Sequence, residues 1–285
     1  MEDKRREGGD SSIDRRFCIL IGFGESLVYP LNQFSSKEGN YKMLLGIQLY
    51  SIRNVLAQDW EKGLEALAQM GFQSVETAGF GYSDCKTVSD KLKALELKVP
   101  SVHSQLPLGE NANQVLDEAC ELGASCVISG CGPKDFETSD DIRKVADKFN
   151  EAREKASSAG LTVGYHNHDW EYRDIAEGPA YKVLIENLHE EVKMEIDTYW
   201  VAVGGKNPAE VISELGNRVS YIHFKDGPCE RGPANVAVGE GSMDFDSIFK
   251  NLDAQLAGYV EFDSCDTDIL KASEVSLRYL ESKLK

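Results

Sequence analysis

The chain has 285 residues, with 31 basic and 48 acidic side chains and a formal net charge of −17. Such a charge repels phosphate backbones and anionic lipid, and no apolar run reaches the roughly 20 residues that a membrane-spanning helix needs, so we expect neither a nucleic-acid nor a membrane partner. The seven cysteines form no CxxC pair, which argues against a disulfide framework and favours a reducing, cytoplasmic location.

The first 42 residues are charged and aperiodic. We predict that residues 1–42 are disordered or a non-native extension, with Met43 as the biological start. Residues 43–285 are expected to form one domain.

From Met43 onward, β-leaning runs alternate with amphipathic helical patterns. The predicted strands are 46–51, 72–78, 99–105, 126–131, 162–168, 193–199, 220–226 and 259–263, and the helical patterns include 60–70, 113–122, 141–158 and 209–215. Glycines at the expected helix ends support these boundaries. Eight β/α units in about 240 residues predict a single-domain (β/α)₈ TIM barrel. The alternative is a doubly wound open sheet, but no GxGxxG or P-loop motif follows any strand.

Polar side chains gather on one face of the predicted strands, near their C-terminal ends. Strand side chains alternate between two faces, so in strand six Met194 and Ile196 oppose Glu195 and Asp197. The axis of an ordinary barrel is filled with branched apolar side chains. Because buried carboxylates and imidazoles without partners are costly, this pattern predicts a ligand or ion at the top of the barrel.

Equivalent positions at the ends of strands five to eight carry His166, Asp197, His223 and Glu261. Two nitrogen and two oxygen donors suit Mn²⁺, Co²⁺, Zn²⁺ or Fe²⁺ better than Ca²⁺. The HxH spacing alone is a weak signal, since a single strand histidine is more often a hydrogen-bonded core residue. Polar ends on four consecutive strands nevertheless predict a metal site. Glu195 is expected to pair with Lys193 or Lys225.

Six motifs within residues 46–263 resemble the xylose isomerase-like TIM-barrel superfamily, in its sugar phosphate isomerase/epimerase branch. They are GIQLYSIR, GYHNHDWEY, MEIDTYWVAVGG, YIHFKD, VGEGSMDF and GYVEFD. The resemblance implies one divalent metal, Mn²⁺ in the first place and otherwise Co²⁺, Mg²⁺ or Zn²⁺, bound by Glu, Asp, His and Glu. Asp197, His223 and Glu261 match the last three ligands, and His166 stands where the family has its first glutamate.

The resemblance also implies an isomerase or epimerase of carbohydrate metabolism that removes a proton next to the carbonyl of a sugar or keto-sugar. Glu261 is then the base, with His166 or His168 as a second acid/base and Lys225 as the group that neutralises the oxyanion; the alternative role of Lys225 is a salt bridge to Glu195 or Asp226. Substrate contacts are assigned to Gln48, Glu76, His103, Trp200 and Arg231.

Three other functions stay open. A metal-dependent lyase or dehydratase acting on keto-sugars or inososes, of the 3-keto-glycoside type, fits the same residues. An AP-endonuclease-like phosphodiesterase shares the fold, but its DNA-binding surface should be basic, unlike this chain. A non-catalytic barrel subunit is compatible with the missing first glutamate. The expected partner is a small sugar or keto-sugar, and a homo-oligomer or a second subunit also stays open.

Overall fold

The computed structural model describes residues 43–253 and 256–284, so the prediction for residues 1–42 lies outside the described residues. The described strands are β1 (Leu44–Gln48), β2 (Ser74–Glu76), β3 (Ser101–His103), β4 (Cys126–Ser129), β5 (Thr162–His166), β6 (Asp174–Ile175), β7 (Gly178–Pro179), β8 (Lys193–Asp197), β9 (Val219–Phe224) and β10 (Ala257–Val260). Strands β6 and β7 form a separate antiparallel hairpin.

The other eight strands form a parallel sheet in the order β2-β1-β10-β9-β8-β5-β4-β3. Isolated bridges from Ser74 to Lys98 and from Thr77 to Val102 join its two ends. The sheet is therefore a nearly closed barrel, and the predicted TIM-barrel fold is confirmed.

Helices surround the barrel. They are α1 (Arg53–Met70), α2 (Cys85–Ala94), α3 (Ala112–Leu122), α4 (Ser139–Ser158), α5 (Ala180–Asn187), α6 (Thr198–Val203), α7 (Pro208–Leu215), α8 (Phe245–Phe249) and α9 (Ile269–Lys283). Gly71 and Gly123 end α1 and α3 in the left-handed conformation, with φ of 93° and 73°. None of the helices in the described part of the chain combines the length and apolar content needed to cross a bilayer.

The two faces of the barrel strands differ as the alternation predicts. The helix-facing side belongs to the main core and includes the fully buried Ile47, Val163, Ile196, Ile222 and Val260. A second, smaller cluster fills the lower part of the axis with Cys126, Ile128, Tyr221, Ala257 and Tyr259. The polar side chains of the candidate site lie above this cluster, toward the C-terminal ends of the strands.

Gly46 shows how tightly the axis is packed at β1. A Cβ atom at this position would lie 2.6 Å from the carbonyl oxygen of Ser74 and 2.8 Å from a ring carbon of Tyr259. Both neighbours are fully buried, so they have no free space into which to move. Glycine is therefore required here for close approach of the strands.

Candidate metal centre

The structure brings the four predicted metal donors together. One ligand atom from each residue lies within 4.8 Å of the others, and all four residues are buried; they are His166, Asp197, His223 and Glu261. Strand register explains the convergence, because Asp197 pairs with His223 between β8 and β9 and Glu261 directly follows β10. The C-terminal ends of these neighbouring strands meet at the mouth of the barrel, where TIM-barrel enzymes carry their active sites.

Asp197 has one oxygen in a hydrogen bond and the other beside the ammonium of Lys225. Its Oδ1 accepts a hydrogen bond from the backbone N–H of Trp200 at 2.9 Å, which caps α6. Its Oδ2 is buried and lies 3.0 Å from Lys225 Nζ, yet it takes part in no hydrogen bond. Burial raises the pKa of Asp197 to about 6, although the charge of Lys225 opposes the shift. A buried acceptor without a hydrogen bond suits a metal ligand.

Lys225 is buried beside three carboxylates. Its Nζ lies 2.7 Å from Asp263, 3.0 Å from Asp197 and 3.1 Å from Glu261. Burial by itself would lower the pKa of Lys225, but the charges of Asp197 and Glu261 outweigh burial and raise it. The alternative role of Lys225 named the wrong salt-bridge partners, because its Nζ lies beside Asp197, Glu261 and Asp263 and not beside Glu195 or Asp226. The raised pKa favours the charged form of Lys225.

Glu261 is held in its ionised form. Burial alone would raise its pKa, but Lys225 and His223 lower it well below the usual value. Its Oε2 lies 2.7 Å from His223 Nδ1. An ionised carboxylate at the mouth of the barrel is the state that a general base requires.

Glu195 contacts the two histidines of the donor set and neither of the lysines expected from the sequence. Its Oε2 lies 2.9 Å from His166 Nδ1, and its Oε1 lies 3.1 Å from His223 Nε2. The expected pairing with Lys193 or Lys225 is therefore wrong, because Glu195 lies beside His166 and His223 while Lys225 lies beside Asp197 and Glu261. Burial, followed by the charge of Glu76, raises the pKa of Glu195 well above its usual value.

Gln48 and Glu76, predicted as substrate contacts, are both buried beside the donor cluster. Glu76 is fully buried and accepts hydrogen bonds from Gln48 Nε2 and Ser101 Oγ, both at 2.5 Å. Its Oε1 also lies 3.1 Å from His223 Nε2. Burial would raise the pKa of Glu76, but hydrogen bonds from His103 and His223 lower it. Gln48 and Glu76 therefore have hydrogen-bond partners inside the protein, and their predicted contact with a substrate stays a prediction.

The remaining predicted substrate contacts form the wall of the mouth. His103 is partly exposed, and its ring centroid lies 5.0 Å from that of His166. The guanidinium of Arg231 lies 5.5 Å from the ring centroids of both Trp170 and Trp200 and is paired with Asp169. The predicted contacts of His103, Trp200 and Arg231 with a substrate stay a prediction.

His168 stacks on Trp170, with ring centroids 4.2 Å apart and an interplanar angle of 12°. Burial, followed by the charge of Lys225, lowers the pKa of His168 to about 4. The imidazole is therefore neutral near pH 7 and can accept a proton. Its Nδ1 is buried without a hydrogen-bond partner, as is Trp200 Nε1. Both nitrogen atoms can form hydrogen bonds with the hydroxyl groups of a ligand.

The sequence did not single out two further residues of this region. Asp263 anchors Lys225, and period-two spacing from Glu261 was the available signal. Asn167 links the ends of β5 and β8: its Oδ1 accepts from the backbone N–H of Asp197, and its Nδ2 donates to the carbonyl of the same residue. No sequence pattern indicates this role, because the contact depends on the relative height of two strands.

Comparison with known proteins gives the family context. Residues 64–283 match the family model described as xylose isomerase-like TIM barrel. An inosose dehydratase from Clostridium beijerinckii is 21% identical over 237 residues, covering 68% of this chain and 78% of that protein. A sugar phosphate isomerase/epimerase structure from Parabacteroides distasonis gives a TM-score of 0.73 at 26% identity, covering 90% of this chain and 100% of that one.

A third relative has a metal in its structure. The IOLI protein, solved with a bound zinc atom, gives a TM-score of 0.67 at 13% identity and covers 85% of this chain and 99% of that one. At this identity the likeness establishes the shared fold alone.

Proposed function

The chain belongs to the xylose isomerase-like TIM-barrel family, and from this premise we propose that it is a divalent-metal-dependent enzyme that removes a proton next to the carbonyl of a sugar or keto-sugar. The first candidate reaction is isomerisation or epimerisation. The observation that carries the proposal is the meeting of four buried donor residues at the mouth of the barrel. The mixed nitrogen and oxygen donor set supports a divalent metal ion, with Mn²⁺ as first choice and Co²⁺, Zn²⁺ or Mg²⁺ as alternatives.

His166, Asp197, His223 and Glu261 would hold the ion, which would act as a Lewis acid toward the substrate carbonyl. The protein's own groups carry the proton transfer. Glu261, whose pKa is held low, accepts the proton at a carboxylate oxygen. Lys225 keeps a positive charge beside Asp197 and Glu261, where it compensates the negative charge that develops on the substrate oxygen.

The second candidate is a lyase or dehydratase. A two-base epimerisation needs acid/base groups on both faces of the substrate, whereas the donor set has histidine at position 166 in place of a second glutamate. His168, beside the site on the turn after β5, is neutral and can hydrogen-bond to the departing hydroxyl, which leaves as water with the proton that Glu261 has taken up. This arrangement favours a keto-sugar or inosose substrate for the elimination reaction.

A small sugar or keto-sugar is the proposed ligand. We also propose a reducing, cytoplasmic location, because the six cysteines among the described residues are all free thiols.

The experiment is a panel of sugars, keto-sugars and inososes incubated in D₂O with metal-stripped protein, with and without Mn²⁺. We expect metal-dependent incorporation of deuterium next to a carbonyl, and NMR of the product separates an epimer or isomer from an eliminated species. Absence of both bound metal and exchange across the panel would support a non-catalytic subunit and contradict the proposal.

Glu261→Gln tests the assigned base. The variant should lose exchange almost completely while its circular dichroism stays that of the wild type. Glu274→Gln changes a helix carboxylate that pairs with Lys271 far from the donors, and it should keep full activity. Robust turnover by Glu261→Gln would remove Glu261 from its role.

A further inference from the structure

We infer that the loop after β9 carries a latch over the mouth of the barrel: Arg231 closes it onto Asp169 and releases Asp169 when a ligand enters. Residues 228–234 are called here the tip of the loop, and residues 235–243 its base. The inference needs no metal at the four donors, so it goes beyond the proposed function and does not depend on it.

Asp226 holds the base of the loop in place. The residue is 1% exposed, and its two carboxylate oxygens accept hydrogen bonds from four backbone N–H groups. Oδ1 accepts from Gly227 at 2.8 Å and from Met243 at 3.2 Å. Oδ2 accepts from Gly239 at 2.9 Å and from Gly241 at 3.0 Å. Asp226 is therefore the positioning residue that ties the beginning and the end of the loop to one point.

Asn235 fixes the base against the segment that follows β10. Its Oδ1 accepts from the backbone N–H of Asp263 at 2.9 Å, and its own backbone N–H donates to the carbonyl of Ser264 at 3.0 Å. Its Nδ2 donates to the carbonyl of Asp226 at 3.3 Å. These bonds hold the base to the barrel, so opening of the loop is confined to the tip.

The closed tip is exposed and locally strained. Pro228 and residues 230–233 are exposed, while Cys229 is partly buried. Cys229 has a φ of 58°, a left-handed conformation that is costly for a residue other than glycine. The hydroxyl of Tyr199 donates to the carbonyl of Glu230 at 3.1 Å. A strained segment of this kind needs a further contact to stay closed.

Arg231 provides that contact. Its guanidinium pairs with Asp169 and lies 5.5 Å from the ring centroids of both Trp170 and Trp200. The ring centroid of Trp200 also lies 5.2 Å from Nζ of Lys225, which borders the donor cluster. Arg231 therefore covers the aromatic wall next to the donors.

The latch is weak enough to open. The side chain of Arg231 is 56% exposed, and exposed ion pairs are screened by water and salt. Cation–π contacts at exposed sites are also weak. A ligand that occupies the space beside the two tryptophans can replace these contacts, so the tip opens as the ligand enters.

Limited trypsin digestion measures the opening, because trypsin must bind the side chain of Arg231 before it cleaves the Arg231–Gly232 bond. Asp169→Asn removes the charge that holds Arg231. The variant should form the new N-terminus at Gly232 about 2- to 5-fold faster, the factor expected from an exposed ion pair. Asp140→Asn is the matched control, since it breaks the exposed pair with Arg143 on α4 and should leave this rate unchanged.

Salt tests the latch in the wild-type chain. Raising the ionic strength from about 0.01 M to 0.1 M shortens the screening length from about 30 Å to 10 Å. Cleavage after Arg231 should then accelerate relative to cleavage of a small arginine substrate. Asp169→Asn should show no such acceleration, because its ion pair is already broken.

Hydrogen exchange followed by NMR tests the role of Asp226. In the wild type, the amide hydrogens of Gly239, Gly241 and Met243 should exchange slowly. Asp226→Asn should speed up exchange within this group, because an amide side chain has one acceptor oxygen where the carboxylate has two. Fast exchange of all three amides in the wild type would overturn the role of Asp226, whether or not the variant folds.

The outcomes separate the latch from the proposed function, because none of these measurements uses metal or substrate. Equal cleavage after Arg231 in the wild type and Asp169→Asn overturns the latch, even if the protein proves to be a metal-dependent enzyme. Cleavage after the buried Lys225 reports general unfolding. An equal acceleration there in Asp169→Asn would also overturn the latch, whereas acceleration after Arg231 alone supports it.

Discussion

Replacing Lys225 with methionine should destabilise the metal-free protein by about 3–5 kcal/mol at neutral pH. The substitution keeps an unbranched apolar stem of similar length and removes only the charge. Three carboxylates, those of Asp197, Glu261 and Asp263, then lose the cation that lies within 3.1 Å of each of them.

The magnitude follows from burial. A pair of unit charges about 3 Å apart attracts by roughly 5 kcal/mol at an effective dielectric constant of about 20. Desolvation of Lys225, which is 1% exposed, offsets much of the sum of these attractions in the folded wild type. Asp263 is 40% exposed and is screened by water, so Asp197 and Glu261 carry most of the effect. Removing one partner of a buried ion pair typically lowers the free energy of unfolding by about 3–5 kcal/mol.

Urea unfolding in the presence of a chelator measures the loss. The matched control is Lys144→Met, since Lys144 is 69% exposed in its pair with Asp141, and exposed pairs contribute about 0–1 kcal/mol. Lys225 lowers the pKa of Glu261 in the folded state, so its stabilising effect is present near neutral pH and is lost as acid protonates the carboxylates. The gap between variant and wild type should therefore shrink as the pH falls. A loss at neutral pH no larger than that of the control would refute the reasoning.

Two further substitutions test the fold around the site. Burial raises the pKa of Glu171 to about 8, so ionisation of this carboxyl group increasingly opposes folding as the pH rises from about 4.5 to 8. Relative to Glu171→Gln, the wild type should lose up to about 1.4 kcal/mol of unfolding free energy per pH unit in this range. A difference in unfolding free energy that does not change with pH in chemical denaturation would contradict this. Gly46→Ala should lower the free energy of unfolding by about 1–3 kcal/mol, because the new Cβ atom would clash with Ser74 and Tyr259. Gly81→Ala, where the Cβ atom would lie in open space, should have almost no effect. Equal melting temperatures of the two variants would contradict this account.

The barrel could be predicted from the sequence because its signals are local. Each of the eight predicted strand runs overlaps an observed barrel strand, and glycines such as Gly71 end helices through their own backbone conformation. The polar ends of β5, β8, β9 and β10 follow from period-two alternation, which placed His166 and Asp197 on the axis side without knowledge of the fold.

The heights of the polar side chains along the axis could not be predicted. They depend on the register between strands, which pairs Gln48 with Glu76. The sequence therefore favoured substrate contacts for these two residues, although their partners lie inside the protein. The same lack of register information hid the contact of Glu195 with both histidines. The β6–β7 hairpin was missed because two-residue strands carry no periodic signal.

The most direct test of the proposed metal centre is the anomalous diffraction of crystals grown with Mn²⁺ or Zn²⁺. We predict one strong peak at the mouth of the barrel, with donor atoms of His166, Asp197, His223 and Glu261 about 2.0–2.2 Å from the ion. A metal-soaked crystal with no peak among these four side chains, or with the peak elsewhere on the chain, would contradict the account.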